Sequence, residues 1–136
     1  MSKKLLVHII TGVENPTRAS LGLLVARSAL EDDYEVDVFV AGDGVSMLRP
    51  SSAEQMQGVG IGLVADHLDA LKKGNAGLYA SGLSAKARGL EGEELIDLGF
   101  KPSPPNVLID LTFKADRTLI YWLNPISANC NTCYHN

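Results

Sequence analysis

The stretch LLVHIITGVENPTRASLGLLVARSALEDDYEVDVFVAGDG, residues 5–44, decides the fold of this chain. It opens with a short apolar run that is rich in β-branched residues and closed by Gly12, which is typical of a strand buried on both faces. Asn15 and Pro16 then suit the N-cap and the first position of a helix whose apolar residues recur at helical spacing. A second strand, residues 36–41, runs into a glycine-rich turn. The stretch therefore predicts a strand, a helix and a second strand.

The rest of the chain repeats this alternation. Residues 62–74 predict an amphipathic helix that ends at a glycine, residues 76–82 a third strand and residues 118–122 a fourth. Residues 106–116 fit a strand or a helix by periodicity alone, but Ser103 and the prolines after it favour a helix capped by that serine. Strands that alternate with helices predict an α/β fold with a mainly parallel sheet of four to five strands, covered on both faces.

Composition limits the classes of function. The chain has 136 residues and a net charge of −4, from 12 Lys and Arg against 16 Asp and Glu. This length suits one domain over residues 1–136, in which residues 123–136 form a cysteine-containing C-terminal tail. No basic stretch is suited to neutralise a series of phosphates, so nucleic acid is not an expected partner. The apolar run near the N-terminus is too short for a signal peptide or a membrane span, so we expect a cytoplasmic protein without a membrane partner.

Several residues lie where a parallel sheet places its chemistry, which is just beyond the carboxyl ends of the strands. They are Gly12 after the first strand, Asp43 and Gly44 after the second, Ser81 and Gly82 after the third, and Arg88 as a nearby cation. We expect these residues to converge at one end of the sheet. There they would line a pocket for a small molecule or a protein partner.

Other motifs argue against a cofactor, a metal or a serine nucleophile. GVGIG at residues 58–62 lacks the glycine spacing of a dinucleotide fingerprint and is interpreted as a flexible loop. His8 in the first strand and His67 on a helix have no partner at metal-ligand spacing, so both are interpreted as structural histidines with satisfied ring nitrogens. Tyr79 and Leu83 stand where a serine nucleophile elbow needs glycines. We therefore predict no cofactor and no metal.

Three segments together resemble the DsrE/DsrF-like sulfur-relay family, whose members are also described as predicted peroxiredoxins. They are TGVENPTRASLGLLVARSAL (11–30), VDVFVAGDGVSML (36–48) and LYASGLSAKARGL (78–90), and the likeness covers nearly all of residues 3–122. The resemblance implies a flavodoxin-like three-layer fold and a homotrimer or homohexamer. It also implies, in active members, a cysteine after the third strand that passes a persulfide to a sulfur-relay partner protein.

The predicted loop after the second strand agrees with an oligomer. Met47, Leu48 and Met56 are apolar, and we expect a monomer to expose them there. Contact between subunits would remove this apolar surface from water.

The chain departs from the family at the carrier cysteine. Ser81 and Ser84 occupy the matching segment, and residues 1–129 contain no cysteine. A hydroxyl is a far weaker nucleophile than a thiolate and does not hold a stable persulfide. Sulfur transfer at the Ser81 region is therefore not expected.

The chain's two cysteines are Cys130 and Cys133, in the C-terminal tail. Their C-x-x-C spacing allows a small disulfide or joint binding of one metal, and His135 lies close enough in sequence to lower a thiol pKa or add a ligand. Three interpretations stay open: an inert tail, a redox or sulfur-handling pair, and a metal site completed across subunits. The tail is long enough to bring the cysteines near Ser81 of the same or an adjacent subunit.

Two functions follow from these residues. The first is a sulfurtransferase or thiol redox protein that uses Cys130 and Cys133 as its catalytic residues. The second is a non-catalytic module of the same fold that binds a small molecule or a protein at the loops after the strands.

Overall fold

The computed structural model describes residues 3–121, in which strands and helices alternate along the chain. The strands are β1 (Lys4–Ile9), β2 (Glu35–Val40), β3 (Gln57–Gly58), β4 (Gly62–Leu63), β5 (Gly77–Ser81), β6 (Lys101–Ser103) and β7 (Arg117–Tyr121). The helices are α1 (Pro16–Glu31), a 3₁₀ helix (Gly42–Leu48), α2 (Pro50–Ala53), α3 (Val64–Lys73), α4 (Gly82–Ala87), α5 (Gly92–Asp97) and α6 (Pro105–Lys114). The predicted α/β class is confirmed.

Within the described residues, five strands form one parallel sheet in the order β6-β5-β2-β1-β7, and β3 pairs with β4 in a separate antiparallel hairpin. Strand β2 is central, and its neighbour β1 has Val7 opposite Val38 of β2 on one side and opposite Leu119 of β7 on the other. Because these five strands are parallel, all of them end at one edge of the sheet. We call this edge the carboxyl edge and the opposite one the amino edge.

The sheet separates two apolar clusters. The larger cluster joins one face of the sheet to helices α1, α3 and α5, with members that include Val7, Leu23, Leu71 and Leu95. The smaller cluster lies on the other face, where Leu6 and Phe39 pack against Leu111 of α6. Helices on both faces of a parallel sheet give the three layers of a flavodoxin-like fold, as expected.

Helix α1 begins as the sequence predicts. The side chain of Asn15 is its N-cap and accepts a hydrogen bond from the backbone N–H of Arg18 at 3.1 Å, while Pro16 occupies the first turn. The cap satisfies one of the backbone donors that a helix start leaves without an intrahelical partner. The cap therefore sets the boundary between the loop after β1 and helix α1.

The segment after β2 is folded rather than a loop, which overturns one argument for an oligomer. The 3₁₀ helix and α2 turn its apolar side chains inward, and Met47, Leu48 and Met56 are only 0%, 2% and 7% exposed in the single chain. A monomer does not expose them. These three residues therefore give no support to self-association.

The glycine-rich segment 58–62 is also ordered, contrary to the flexible loop that we expected. It forms the turn between β3 and β4, in which Gly60 and Gly62 have φ values of 76° and 89°. Left-handed backbone of this kind favours glycine. The turn therefore accounts for Gly60 and Gly62 without a role in nucleotide binding. Helix α3 contacts this hairpin through His67, whose Nε2 lies 2.7 Å from the carbonyl oxygen of Ile61.

Three local predictions are wrong: the cap at Ser103 and the satisfied ring nitrogens of His8 and of His67. Ser103 does not cap α6, because it belongs to β6 and donates its hydroxyl to the carbonyl of Lys101 at 2.9 Å, which leaves Pro104 at the cap position. The two histidines are not fully satisfied. Within the described residues, Nε2 of His8 and Nδ1 of His67 are buried without a hydrogen-bond partner.

Candidate functional site

The loops that leave β1, β2 and β5 are joined to one another at the carboxyl edge. The backbone N–H of Gly44 donates to the carbonyl of Ile10 at 3.1 Å, which ties the 3₁₀ helix to the exit of β1. The backbone N–H of Gly42 donates to Oγ of Ser84 at 2.9 Å, which ties the exit of β2 to α4. The predicted convergence of these loops is therefore present in the structure.

Gly12 is in close contact with the start of the 3₁₀ helix. A Cβ atom built on Gly12 would lie 2.2 Å from the carbonyl oxygen of Asp43 and 2.6 Å from Oγ of Ser46. Gly44 is also restricted, because a Cβ there would lie 2.7 Å from the carbonyl oxygen of Ile9. Real Cβ atoms do not approach a backbone oxygen so closely, so glycine at these two positions is what allows the loops to touch.

The two serines of the segment that resembles the family's carrier site are both bonded to backbone. Ser81 is the N-cap of α4, and its Oγ accepts from the backbone N–H of Ser84 at 3.1 Å. Oγ of Ser84 in turn accepts from Gly42, as described above. Each hydroxyl oxygen therefore acts as an acceptor that fixes the geometry of the edge.

Arg88 and Asp43 form an ion pair across the same edge. Nη2 of Arg88 lies 2.8 Å from Oδ1 of Asp43, and Nη1 donates to the carbonyl of Ser84 at 3.0 Å. The side chains are 33% and 59% exposed, so solvent screens the pair and it adds little to stability. Arg49 donates to the backbone carbonyl oxygen of Arg88, which links the end of the 3₁₀ helix to the end of α4. The pair places the partly exposed guanidinium of Arg88 close to Ser84.

Sequence reasoning missed two polar residues of this edge. Glu14 accepts from the hydroxyl of Thr11 at 3.0 Å and from the backbone N–H of Gly12 at 2.5 Å. Ser46 accepts from the N–H of Val13 at 3.1 Å and donates to the carbonyl of Asp43 at 2.6 Å. Thr11 and Glu14 have the T-x-x-E spacing of a capping box, and this spacing is the sequence signal that could have identified Glu14.

A cavity of about 440 Å³ opens beside this network, where β5 and β6 end. Its walls are mainly apolar, with one cation: Gly82, Leu83, Lys86, Pro102, Ser103, Pro104 and Pro105. Its volume lies within the range of small-ligand pockets. Gly82 is the predicted site residue in these walls. The other five predicted residues belong to, or contact, the hydrogen-bonded network next to it.

The predicted thiol pair cannot be placed. Cys130 and Cys133, with His135 and Trp122, lie outside the described residues. Among residues 3–121, no group of three or more His, Cys, Asp or Glu side chains is arranged to hold a metal ion. None of the helices in this part of the chain is both long and apolar enough to cross a bilayer.

A parallel five-stranded sheet between helices, with its loops joined at the carboxyl edge, defines a flavodoxin-like α/β protein. The DsrE/DsrF-like family model matches residues 3–121, and the chain belongs to that family. The resemblance noted in the sequence is thereby confirmed.

Solved structures show the same fold. The ychN protein from E. coli superposes with a TM-score of 0.71 at 21% identity, covering 89% of this chain and 100% of that one. MTH1491 from Methanobacterium thermoautotrophicum, a protein of unknown function, gives 0.65 at 16% identity, covering 88% and 99%. BT1422 from Bacteroides thetaiotaomicron, a conserved protein of unknown function, gives 0.65 at 11% identity, covering 87% and 94%. No curated protein sequence gives a significant match.

Proposed function

We propose that this protein is a sulfur-relay protein of the cytoplasm that handles sulfur through Cys130 and Cys133 instead of through the Ser81 region. One observation supports the proposal above all: the hydroxyl oxygens of Ser81 and Ser84 are both engaged as acceptors from backbone N–H groups. The segment that matches the family's cysteine position, residues 78–90, thus has a structural role at the carboxyl edge. The chain's thiols are at Cys130 and Cys133.

The reaction proposed for this pair is persulfide transfer. One thiolate, from Cys130 or Cys133, attacks the outer sulfur of a donor persulfide, R–S–SH. The donor's S–S bond breaks, R–S⁻ leaves, and the attacking cysteine becomes Cys–S–SH with no net oxidation. The second cysteine can then attack the inner sulfur to close a disulfide and release hydrosulfide, so the pair can also act as a thiol redox group.

The topology supports a meeting between the tail and the Ser81 edge. Strand β7 runs parallel to β1, and Ile10 donates its N–H to the carbonyl of Tyr121 at 2.8 Å, so β7 ends at the carboxyl edge. In the strand order, β7 lies three strand spacings from β5, which is about 14 Å. The eight residues between Tyr121 and Cys130 reach about 25 Å when extended. The available length therefore exceeds the distance to Ser81 on the same subunit.

The assembly proposed for this protein is a homotrimer or a homohexamer, on the basis of the family to which it belongs. In such an assembly the tail of one subunit also has neighbouring Ser81 edges as targets. A relay needs a second protein to supply or accept the sulfur, and we expect a partner of that kind. Light scattering that returns the mass of a single chain at micromolar concentration would contradict the assembly.

Persulfide uptake tests the function directly. The full chain is incubated with a low-molecular-weight persulfide, and its intact mass is measured. We expect a gain of one sulfur atom that is lost in Cys130→Ser/Cys133→Ser, while the single variants identify the carrier. Ser127→Ala/Asn131→Ala alters the same segment, keeps both thiols and is expected to retain the gain. A wild-type chain that takes up no sulfur, or alkylates no faster than the peptide NCNTCYHN, would contradict the proposal.

The alternative is a non-catalytic binding module, which the cavity beside Gly82 favours. Its mainly apolar walls and Lys86 suit a small ligand or a partner side chain, and it needs no thiol. The uptake experiment separates the two functions. A chain that takes up no sulfur but whose Gly82, Leu83 and Lys86 amides shift when a partner is added is a binding module.

A further inference from the structure

One face of the sheet is incompletely covered. Within residues 3–121, α6 is the helix that packs on the face of the smaller apolar cluster, whereas α1, α3 and α5 pack on the other face. Helix α6 begins after β6 at the carboxyl edge and ends before β7 at the amino edge, so it crosses this face diagonally. The part of β1 and β7 nearest the carboxyl edge therefore lies beside the helix rather than under it.

One row of side chains shows where this cover ends. Phe39, His8 and Ile120 are opposite one another on β2, β1 and β7, so they point to the same face of the sheet. The rings of His8 and Phe39 meet edge to face, with their centroids 5.7 Å apart. Phe39 is only 2% exposed in the smaller cluster, whereas Ile120 is 44% exposed. We call the surface formed by Ile120 and the partly buried His8 the open face.

Helix α6 presents apolar side chains to solvent on the same side of the molecule. Ile109 and Phe113 lie one turn apart and are 57% and 86% exposed. Leu111, about 200° around the helix from each of them, packs against the sheet. Ile109 and Phe113 therefore point away from the sheet, and we call them the α6 ridge.

The α6 ridge and the open face match each other in width and direction. Two neighbouring strands are about 10 Å across, and a helix with its side chains is about 10–12 Å thick. Both surfaces point outward from the same side of the sheet, so a second copy must be inverted to place its ridge on the open face of the first. A two-fold axis does this and places the ridge of the first copy on the open face of the second. The two contacts therefore form together and close the pair.

Charge does not oppose such a contact. The charged residues of α6 are Asp110 and Lys114, whose side chains are paired at 3.8 Å. Lys4 of β1 is paired with a carboxylate of β2 at 3.6 Å. Arg117 of β7 points to the other face of the sheet, because it is opposite Leu5, which packs against the larger cluster. Two copies in contact would therefore bring together no unpaired charge from α6, β1 or β7.

We propose that the α6 ridge and the open face form a two-fold contact between two copies of this chain. Phe113 of each copy lies against Ile120 and His8 of the other. Because Phe113 is 86% exposed, its burial removes about 130–200 Å² from water. The two Phe113 rings together supply about a quarter of the roughly 1,200 Å² at which stable interfaces begin. Ile109 and Ile120 add further apolar area.

This contact goes beyond the proposed sulfur chemistry, since it needs neither cysteine. Persulfide uptake and the contact can therefore fail separately. A trimer has no two-fold axis, so the contact distinguishes between the two proposed assemblies and selects the hexamer, in which it joins two trimers. Without a trimer the same contact gives a dimer. Either assembly contains an even number of chains.

Light scattering after size-exclusion chromatography tests the contact with the full chain. We expect the wild type to have the mass of two or six chains. Phe113→Asp should halve that mass, because the contact would then bury a carboxylate without a partner. Val59→Asp is the matched control, since Val59 is 85% exposed in the turn between β3 and β4 and receives the same charge. It should leave the mass unchanged, and circular dichroism verifies that both variants are folded.

A second substitution tests which surfaces meet. Ile120→Lys should also halve the mass, because it places an ammonium group on the open face. In Phe113→Asp/Ile120→Lys, the carboxylate of each ridge lies against the ammonium group of the opposite open face. The double variant should therefore recover the wild-type mass. A contact through any other pair of surfaces gives no such recovery.

Three results would overturn the proposal. They are a wild-type mass of one or three chains, equal masses for Phe113→Asp and Val59→Asp, and a double variant that stays at half the wild-type mass. The first of these would leave the C-terminal tail or a different protein as the occupant of the open face.

Discussion

Replacing Gly12 with alanine tests whether close packing of the loops holds the carboxyl edge together. The new Cβ would lie 2.2 Å from the carbonyl oxygen of Asp43 and 2.6 Å from Oγ of Ser46. The backbone oxygen must move by about 1 Å to reach an ordinary contact distance. Gly82→Ala is the matched control at the same edge, because a Cβ on Gly82 has no atom within 4 Å.

The cost of the change follows from what that movement disrupts. Overpacking a tight site costs about 1–3 kcal/mol. The displaced carbonyl also accepts from Ser46, whose Oγ accepts from Val13 in turn, and each weakened hydrogen bond adds about 1 kcal/mol. We expect Gly12→Ala to lower the free energy of unfolding by about 2–4 kcal/mol. Gly82→Ala should be neutral or slightly stabilising, because Gly82 is the first residue of a helix in which alanine is favoured.

Urea unfolding followed by circular dichroism measures the difference. With a slope of about 1–3 kcal/mol per molar urea, Gly12→Ala should shift the midpoint down by about 1–2 M, while Gly82→Ala leaves it nearly unchanged. The slope itself should be the same in all three proteins, because the fold is the same. Equal midpoints for the two variants would refute the reasoning, since the loops would then have room to separate.

Two further substitutions test other parts of the fold. Asn15→Ala should cost about 1 kcal/mol in urea unfolding by removing the cap of α1, whereas Asn15→Asp should retain most of the stability. Burial lowers the pKa of His8 below its usual 6.5, so the unfolded chain binds a proton that the folded chain resists. Stability should therefore decrease as the pH falls through 6.5, and the decrease between about pH 7.5 and about pH 5.5 should be smaller in His8→Phe. An equal decrease in both proteins would contradict the role of His8.

The sequence predicts the parts of the fold that depend on local signals. Asn15 and Pro16 are found at the start of α1, and Gly74 follows the end of α3. The convergence of Gly12, Asp43 and Ser81 also follows, because the carboxyl ends of parallel strands must share one edge. That rule needs only the order of strands and helices along the chain.

The parts that sequence reasoning missed depend on tertiary contacts. Strand β6 has three residues and contains Pro102, which argues against a strand, yet a proline is tolerated at the edge of a sheet, where β6 lies. Met47 and Met56 follow predicted turn residues, and their burial depends on how the 3₁₀ helix and α2 fold against the rest of the domain. The contact between His67 and Ile61 joins a helix to a hairpin that has no strand pattern of its own.

The structure gives a physical reason why serine suits position 81 of this chain. Oγ of Ser81 caps α4, and α4 carries Ser84 and leads into Arg88, which bond to Gly42 and Asp43 across the edge. A thiol at position 81 would be a weaker acceptor, so the helix would lose part of its cap. Loss of the cap would loosen the contacts between α4 and the exit of β2. In this chain, position 81 therefore favours a structural hydroxyl over a reactive thiol, as the proposed function requires.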